Sequence, residues 1–306
     1  MQELWTEKYR PDTLDGYVFR DESQKEQVTK WINDKSIPNC LFSGAPGTGK
    51  STLARILINS LDLIKHDVLE INASRENGID FIRDKISTFA GTLPFGDFKI
   101  IFLDEADFLS ANAQAGLRGL MESYHKTVRF IYTANYPHKI IPALHSRCQG
   151  FHIEKLDITE FTTRVAEVLL TEEVQFDLPL LDEYINTVYP DLRKCLNLCQ
   201  MNSGSGVLVP LSNGETGSAT YDDVVALFKA GNIQEARTTL CQNIQPDEVD
   251  GIIRWAYDHL SLWGETSEDK DYAIKIIRNA AVNASFVADP EINISAMFVE
   301  LTEPKE

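Results

Sequence analysis

Gly44-Ala45-Pro46-Gly47-Thr48-Gly49-Lys50-Ser51 decides the fold. It fits the spacing G-x-x-x-x-G-K-[ST]. Before it stands a short apolar run, Asn39-Cys40-Leu41-Phe42-Ser43, and after it a helix-like stretch from Gly49 to Ser60, with Leu53, Ile56, Leu57 and Ser60 on one face. Strand, glycine-rich loop and helix in that order predict a phosphate-binding loop. The glycines let backbone N–H groups turn inward around phosphate oxygens, and the helix points its positive end at the same anion. Lys50 would reach the β and γ phosphates, Ser51 would hold Mg²⁺, and Thr52 carries the loop into the helix. ATP with Mg²⁺ is the expected cofactor pair.

Working outward, Ile100-Ile101-Phe102-Leu103-Asp104-Glu105-Ala106-Asp107 is an apolar strand ending in acids. Its carboxyl end is where open α/β sheets bind ligands. Asp104 would hold Mg²⁺ through water, and Glu105 is placed to polarise the attacking water. Val68 to Ile71, Arg129 to Thr133 and Gln149 to Ile153 also read as strands. Ile79 to Ala90 and Asn112 to Tyr124 read as helices between them. This alternation predicts an α/β domain with a parallel sheet over residues 1–153. Strand signals then stop. Thr159 to Leu170, Pro179 to Val188 and Asp191 to Asn202 predict a small helical lid domain over 154–206. Glycine- and serine-rich stretches at 203–206 and 212–218 read as a linker, and 207–306 as a C-terminal all-α domain. The string Asp104-Glu105-Ala106-Asp107 invites a helicase reading, but no second parallel sheet follows residue 154.

The chain of 306 residues has 43% hydrophobic and 25% charged residues, an ordinary globular composition. No apolar run approaches the roughly 18–20 residues that span a bilayer. Met1 to Arg10 has no apolar signal core, so a cytoplasmic or nuclear location is expected, not a secreted one. The formal net charge of −17 disfavours indiscriminate nucleic-acid binding but leaves room for a small basic patch. Cys195 and Cys199, four apart on a helix, read as small core residues, because no further metal ligands stand near them.

Further motifs lie in order along residues 3 to about 203: Trp5-Thr6-Glu7-Lys8-Tyr9-Arg10-Pro11, Thr133-Ala134-Asn135, Ser146-Arg147-Cys148 and Pro190-Asp191-Leu192-Arg193. Together with the loop and the acidic strand, the chain resembles the AAA+ ATPase subunits of sliding-clamp loaders, both the small subunits of replication factor C and their phage counterparts. The resemblance implies an AAA+ fold with a helical lid and a C-terminal collar. It implies that Asn135 senses the γ-phosphate, that Arg147 reaches in trans into a neighbouring subunit's site, and that Arg193 reaches phosphate from the lid. Tyr9, Arg10 and Val18 would line the adenine pocket, and Asn72 would hold Glu105 inactive until DNA arrives. The implied partners are a sliding clamp, primer–template DNA, and copies of the chain with a distinct subunit in a pentameric ring. Another AAA+ DNA-remodelling machine, such as a branch-migration or replisome helicase, is the alternative.

The segment Asn77-Gly78-Ile79-Asp80-Phe81-Ile82-Arg83 resembles one whose helix start faces duplex DNA. Gly78, Ile79 and Arg83, with Arg75 and Lys85 close by, would grip phosphate without reading bases. Leu93-Pro94-Phe95-Gly96 is an apolar turn beside the surface that docks on the clamp in that family, with Phe95 as its anchor. Two departures stand out. Pro190 replaces a usual glycine and is tolerated at a helix start. Gly119 stands where a second basic residue often follows Arg118, so a DNA contact is missing there.

Overall fold

A computed structural model describes all residues except 1–2, 76–78, 154, 212–216, 244–248, 265, 285–286, 288 and 303–306. It divides into two compact units, Met1–Val209 and Pro210–Glu306. The expected helical lid falls in the same unit as the sheet.

The first unit opens with α1 (Trp5–Lys8) and α2 (Glu22–Asn33). The apolar pattern does not announce α2, although the helix carries a start signal: Asp21 accepts a bond from the Gln24 amide. Gln24, Val28 and Trp31 form its buried face, at helical spacing. There follow β1 (Cys40–Gly44), α3 (Lys50–Ser60), β2 (Val68–Asn72), α4 (Ile79–Gly91), β3 (Lys99–Asp104), α5 (Ala111–Ser123), β4 (Val128–Ala134), α6 (Pro142–His145) and β5 (Gln149–Ile153). Three helices complete the unit: α7 (Ile158–Thr171), α8 (Leu178–Val188) and α9 (Leu192–Met201).

The five strands form one sheet in the order β2-β3-β4-β1-β5, every pairing parallel. Side chains alternate across it. Leu41, Ile101, Leu103, Phe130 and Tyr132 face the core shared with Ile86 of α4 and Leu117 of α5. Cys40, Phe42, Ile100, Phe102 and Ile131 face the opposite core, with Val28 of α2 and Leu53 and Leu57 of α3. Burial on both faces explains why β1, β3 and β4 read as unbroken apolar runs. The order sets β4 between β1 and β3, so the tip of β4 lies beside both the phosphate loop and the acidic strand end.

The second unit contains α10 (Gly217–Lys229), α11 (Ile233–Asn243), α12 (Val249–Asp258), α13 (Ser267–Asn283) and α14 (Pro290–Thr302). Phe228, Trp263, Ile277 and Phe298 lie in its core. Thr266 and Asp269 form a reciprocal cap at the start of α13. No helix among the described residues is long and apolar enough to cross a membrane.

Candidate active site

β1 ends in the glycine loop, and α3 begins at Lys50. Lys50 is buried, and its ammonium donates to the loop's own carbonyls, Gly44 O at 2.9 Å and Ala45 O at 2.6 Å. Burial lowers its pKa to about 8, while the carboxylates of Asp107, Asp104 and Asp191 pull the other way. Thr48 Oγ1 donates to Ala45 O at 2.9 Å and steadies the turn. A site of this build has glycine amides, a buried cation and a helix start directed at one spot, which suits an anionic phosphate chain.

The acidic strand end is tied to this loop through hydroxyls. Asp104 Oδ1 accepts from Ser51 Oγ at 2.6 Å and from Thr133 Oγ1 at 2.6 Å. Thr133 Oγ1 also accepts from the Glu105 amide at 2.9 Å. Glu105 itself adopts φ 57° and ψ 45°, a left-handed conformation that costs a non-glycine residue about 1 kcal/mol or more. Thr133 therefore holds both the carboxylate and the strained backbone after it. Ser51 and Asp104 offer hard oxygen donors a hydrogen bond apart, a donor set that fits Mg²⁺.

Asp107 has a role the string of acids did not suggest. It is buried, and its Oδ2 accepts from the amides of Asn135 at 3.2 Å and Tyr136 at 3.1 Å. That carboxylate fixes the turn carrying Asn135. Gln114, buried on α5, donates to Leu109 O and Lys139 O and accepts from the Ile141 amide, so α5 is tied to the segment that follows the turn.

Lys50, Ser51, Thr52, Asp104, Glu105, Thr133, Asn135 and Arg193 line one cavity together with Pro46, Gly47, Gly49 and Arg10. An adjoining, more apolar cavity is lined by Tyr9, Pro11, Tyr17, Val18, Leu156, Leu192 and Leu196 among others. Arg10, Gly47, Gly49, Thr52 and Arg193 border both. The lid approaches closely at Gly47: its φ is +72°, and a Cβ there would stand 1.7 Å from Asp191 Oδ1. The same Asp191 oxygen caps α9 by accepting from the Lys194 amide at 2.8 Å. The chain start is fastened to the lid as well. Tyr9 Oη donates to Glu172 at 2.6 Å, Arg164 donates to Tyr9 O at 2.8 Å, and the Trp5 amide donates to Gln200 at 3.0 Å.

Other expected residues lie elsewhere. Arg147 follows α6, pairs with Glu122 of α5 and donates to Ala143 O at 2.9 Å. It is not among the residues lining either cavity of its own chain. Asn72 makes no hydrogen bond to Glu105 here. Its Oδ1 instead accepts from the Ser74 amide at 3.0 Å, the Ser74 hydroxyl at 2.6 Å and the Arg75 amide at 3.3 Å, capping the turn after β2. Gly78 and the side chains of Ile79 and Arg83 lie outside the described residues. Arg75 is exposed and Lys85 half-buried. Phe95 is 74% exposed and Leu93 85%. Their turn is anchored by its backbone, since the buried Asp67 carboxylate accepts from the amides of Phe95 and Gly96. Cys195 and Cys199 are both buried on α9, and no cluster of metal-ligating residues occurs among the described residues.

The model of the "ATPase family associated with various cellular activities (AAA)" matches residues 40–155. The replication factor C small subunit of Methanococcus maripaludis strain C6 is 42% identical over 285 residues, 88% of this chain and 83% of the relative. That of Staphylothermus marinus is 34% identical over 310 residues, 97% of this chain and 94% of the relative. The chain belongs to the replication factor C small-subunit family of AAA+ ATPases. It is thus a nucleotide-binding ATP hydrolase, a clamp-loader ATPase subunit of DNA replication. Among solved structures, the Thermotoga maritima RuvB Holliday junction branch migration motor is similar in fold, with a TM-score of 0.56 at 13% identity over 76% of this chain and 85% of that one. At that identity the likeness is one of fold alone. The branch-migration alternative is not favoured.

Proposed function

We propose that this subunit binds ATP with Mg²⁺ between the glycine loop and the helical lid, and hydrolyses it only when a neighbouring subunit completes the site. Lys50 and Arg193 would neutralise the phosphates, Ser51 and Asp104 would hold Mg²⁺, and Asn135 would orient the terminal phosphate. Bound Mg²⁺ would supply charge neutralisation on the phosphate oxygens. Glu105 would take up the proton of the attacking water. The observation that carries this reading is the separation of two arginines. Arg193 borders the cleft, whereas Arg147 lies on the surface, paired with Glu122. An arginine on a neighbouring copy would add transition-state charge beyond what Lys50, Arg10 and Arg193 give within the chain's own cleft, an effect of about 10³-fold or more.

The proposed partners are a sliding clamp, primer–template DNA held by its backbone, and a pentameric ring of copies with a distinct subunit. The exposed Leu93 and Phe95 suit an apolar clamp contact. Arg75 with Arg83 suits phosphate. Asn72, now capping its own turn, would need to exchange partners to restrain Glu105.

Subunit mixing tests the reading. Glu105→Gln and Arg147→Ala should each lack DNA- and clamp-stimulated ATPase alone. Mixed, they should regain part of it, because an intact Arg147 then faces an intact Glu105. Mixtures as inactive as either variant, or an Arg147→Ala chain with full activity, would refute hydrolysis in trans.

A further inference from the structure

The apolar half of the cleft holds a polar atom that no described residue answers. Tyr17 is only 6% exposed, and its ring meets Phe19 edge-on at 4.7 Å. Among the described residues its hydroxyl has no hydrogen-bond partner. Buried hydroxyls are hydrogen-bonded as a rule, since a dry one forfeits its bonds to water. A ring with the hydroxyl removed would pack here equally well, so the fold itself has no use for this atom.

Its surroundings show what could use it. A Cβ built on Gly49 would stand 2.9 Å from the Tyr17 ring and 3.4 Å from its hydroxyl. The tyrosine therefore leans on the glycine loop. It lines the apolar cavity with Val18, Leu192 and Leu196 but is absent from the lining of the phosphate cavity. The loop is satisfied internally in this structure, with Lys50 bonded to the Gly44 and Ala45 carbonyls. A triphosphate would compete with those carbonyls for the Lys50 ammonium, and the loop it would bind lies against Tyr17. Burial also pushes the phenol well above its ordinary pKa, so it keeps its proton and remains a donor.

We propose that the Tyr17 hydroxyl is a nucleotide contact, donating to an acceptor on the nucleoside half of the bound nucleotide. It deepens the nucleotide reading above and rests on it. Its effect is to favour a nucleoside triphosphate over polyphosphate of the same charge, a discrimination that the glycine loop and Lys50 alone do not make. A hydrogen bond of this kind is worth roughly five- to tenfold in affinity.

The test is Tyr17→Phe in the full chain, titrated calorimetrically with ATP, ADP and inorganic tripolyphosphate, alongside the melting temperature of the nucleotide-free protein. The expected result is ATP and ADP binding weakened about five- to tenfold, tripolyphosphate unchanged, and melting unchanged or higher because an unanswered polar atom has gone. Unaltered ATP and ADP affinity would overturn the proposal. Equal weakening of all three ligands would also overturn it, since that marks a phosphate contact or a general loss of packing. A wild-type chain that fails to bind ATP would overturn the nucleotide reading and this inference with it.

Discussion

Thr133→Val isolates what the tip of β4 contributes. Valine keeps the shape of threonine but neither donates nor accepts. It removes the 2.6 Å bond to Asp104 and the 2.9 Å bond from the Glu105 amide. The first is charge-assisted and worth about 2 kcal/mol, and the second about 1 kcal/mol. Together they predict a loss of about 3 kcal/mol. At about 2–4 °C per kcal/mol for a unit of this size, the melting temperature should fall by about 6–12 °C. The catalytic effect has a separate origin. Glu105 sits at φ 57°, and Thr133 holds its amide there. If about 2 kcal/mol of that positioning is lost from the transition state, kcat falls about 30-fold. KM should change little, because Lys50 and the glycine amides are untouched. Thr133→Ser restores both bonds and should return kcat to within about threefold of wild type. The assays are steady-state ATPase with primed DNA and clamp, and calorimetric melting. Full kcat in the valine variant, or a serine variant as impaired as valine, would refute the positioning role.

Three other outcomes follow from the same geometry. Asp107→Asn replaces an acceptor of two amides with a group that can present its own N–H, so the Asn135 turn loosens and ATPase should fall about tenfold; unchanged kcat would show that Asn135 needs no such anchor. Gly47→Ala places a methyl 1.7 Å from Asp191 Oδ1 at φ +72°. Asp191 must then leave its cap on α9, and strain plus the lost cap should cost about 2 kcal/mol, read as lower melting temperature and weaker ATP binding; a melting temperature within 1 °C of wild type, about half a kcal/mol or less, would contradict the close approach. Burial pushes the Cys148 thiol up to about 12, so it contributes stability that is complete below the unfolded pKa of about 9 and lost as pH rises towards 12. At pH 8 iodoacetamide should label Cys148 about a thousandfold more slowly in the folded protein than in urea, as judged by peptide mass, and equal rates would mean the thiol is not held protonated.

Much of the first unit was legible in the residues. Parallel strands buried on both faces write themselves as unbroken apolar runs, so β1, β3 and β4 were found within a residue or so. The phosphate loop is legible because its chemistry needs glycine and lysine at fixed spacing along a single stretch of chain. Helix α2 is not legible in the pattern because Gln24 sits on its buried face and interrupts the apolar stripe. The lid helices α7 to α9 were each found in outline, since their buried stripes repeat at helical spacing.

By itself the sequence determined which groups are available to the site: a lysine after glycines, acids after an apolar strand, an asparagine after the next strand. It could do so because each motif is local, with its spacing set by one strand end or one helix start. Only the tertiary structure decided which of them meet. The order β3-β4-β1 brings Ser51 and Thr133 together on the Asp104 carboxylate, the fold of the β4 turn brings Asp107 beneath Asn135, and the lid lays Asp191 on Gly47. Those contacts join residues 28 to 144 positions apart, and no local pattern encodes them, because each depends on which strands and helices come to lie side by side.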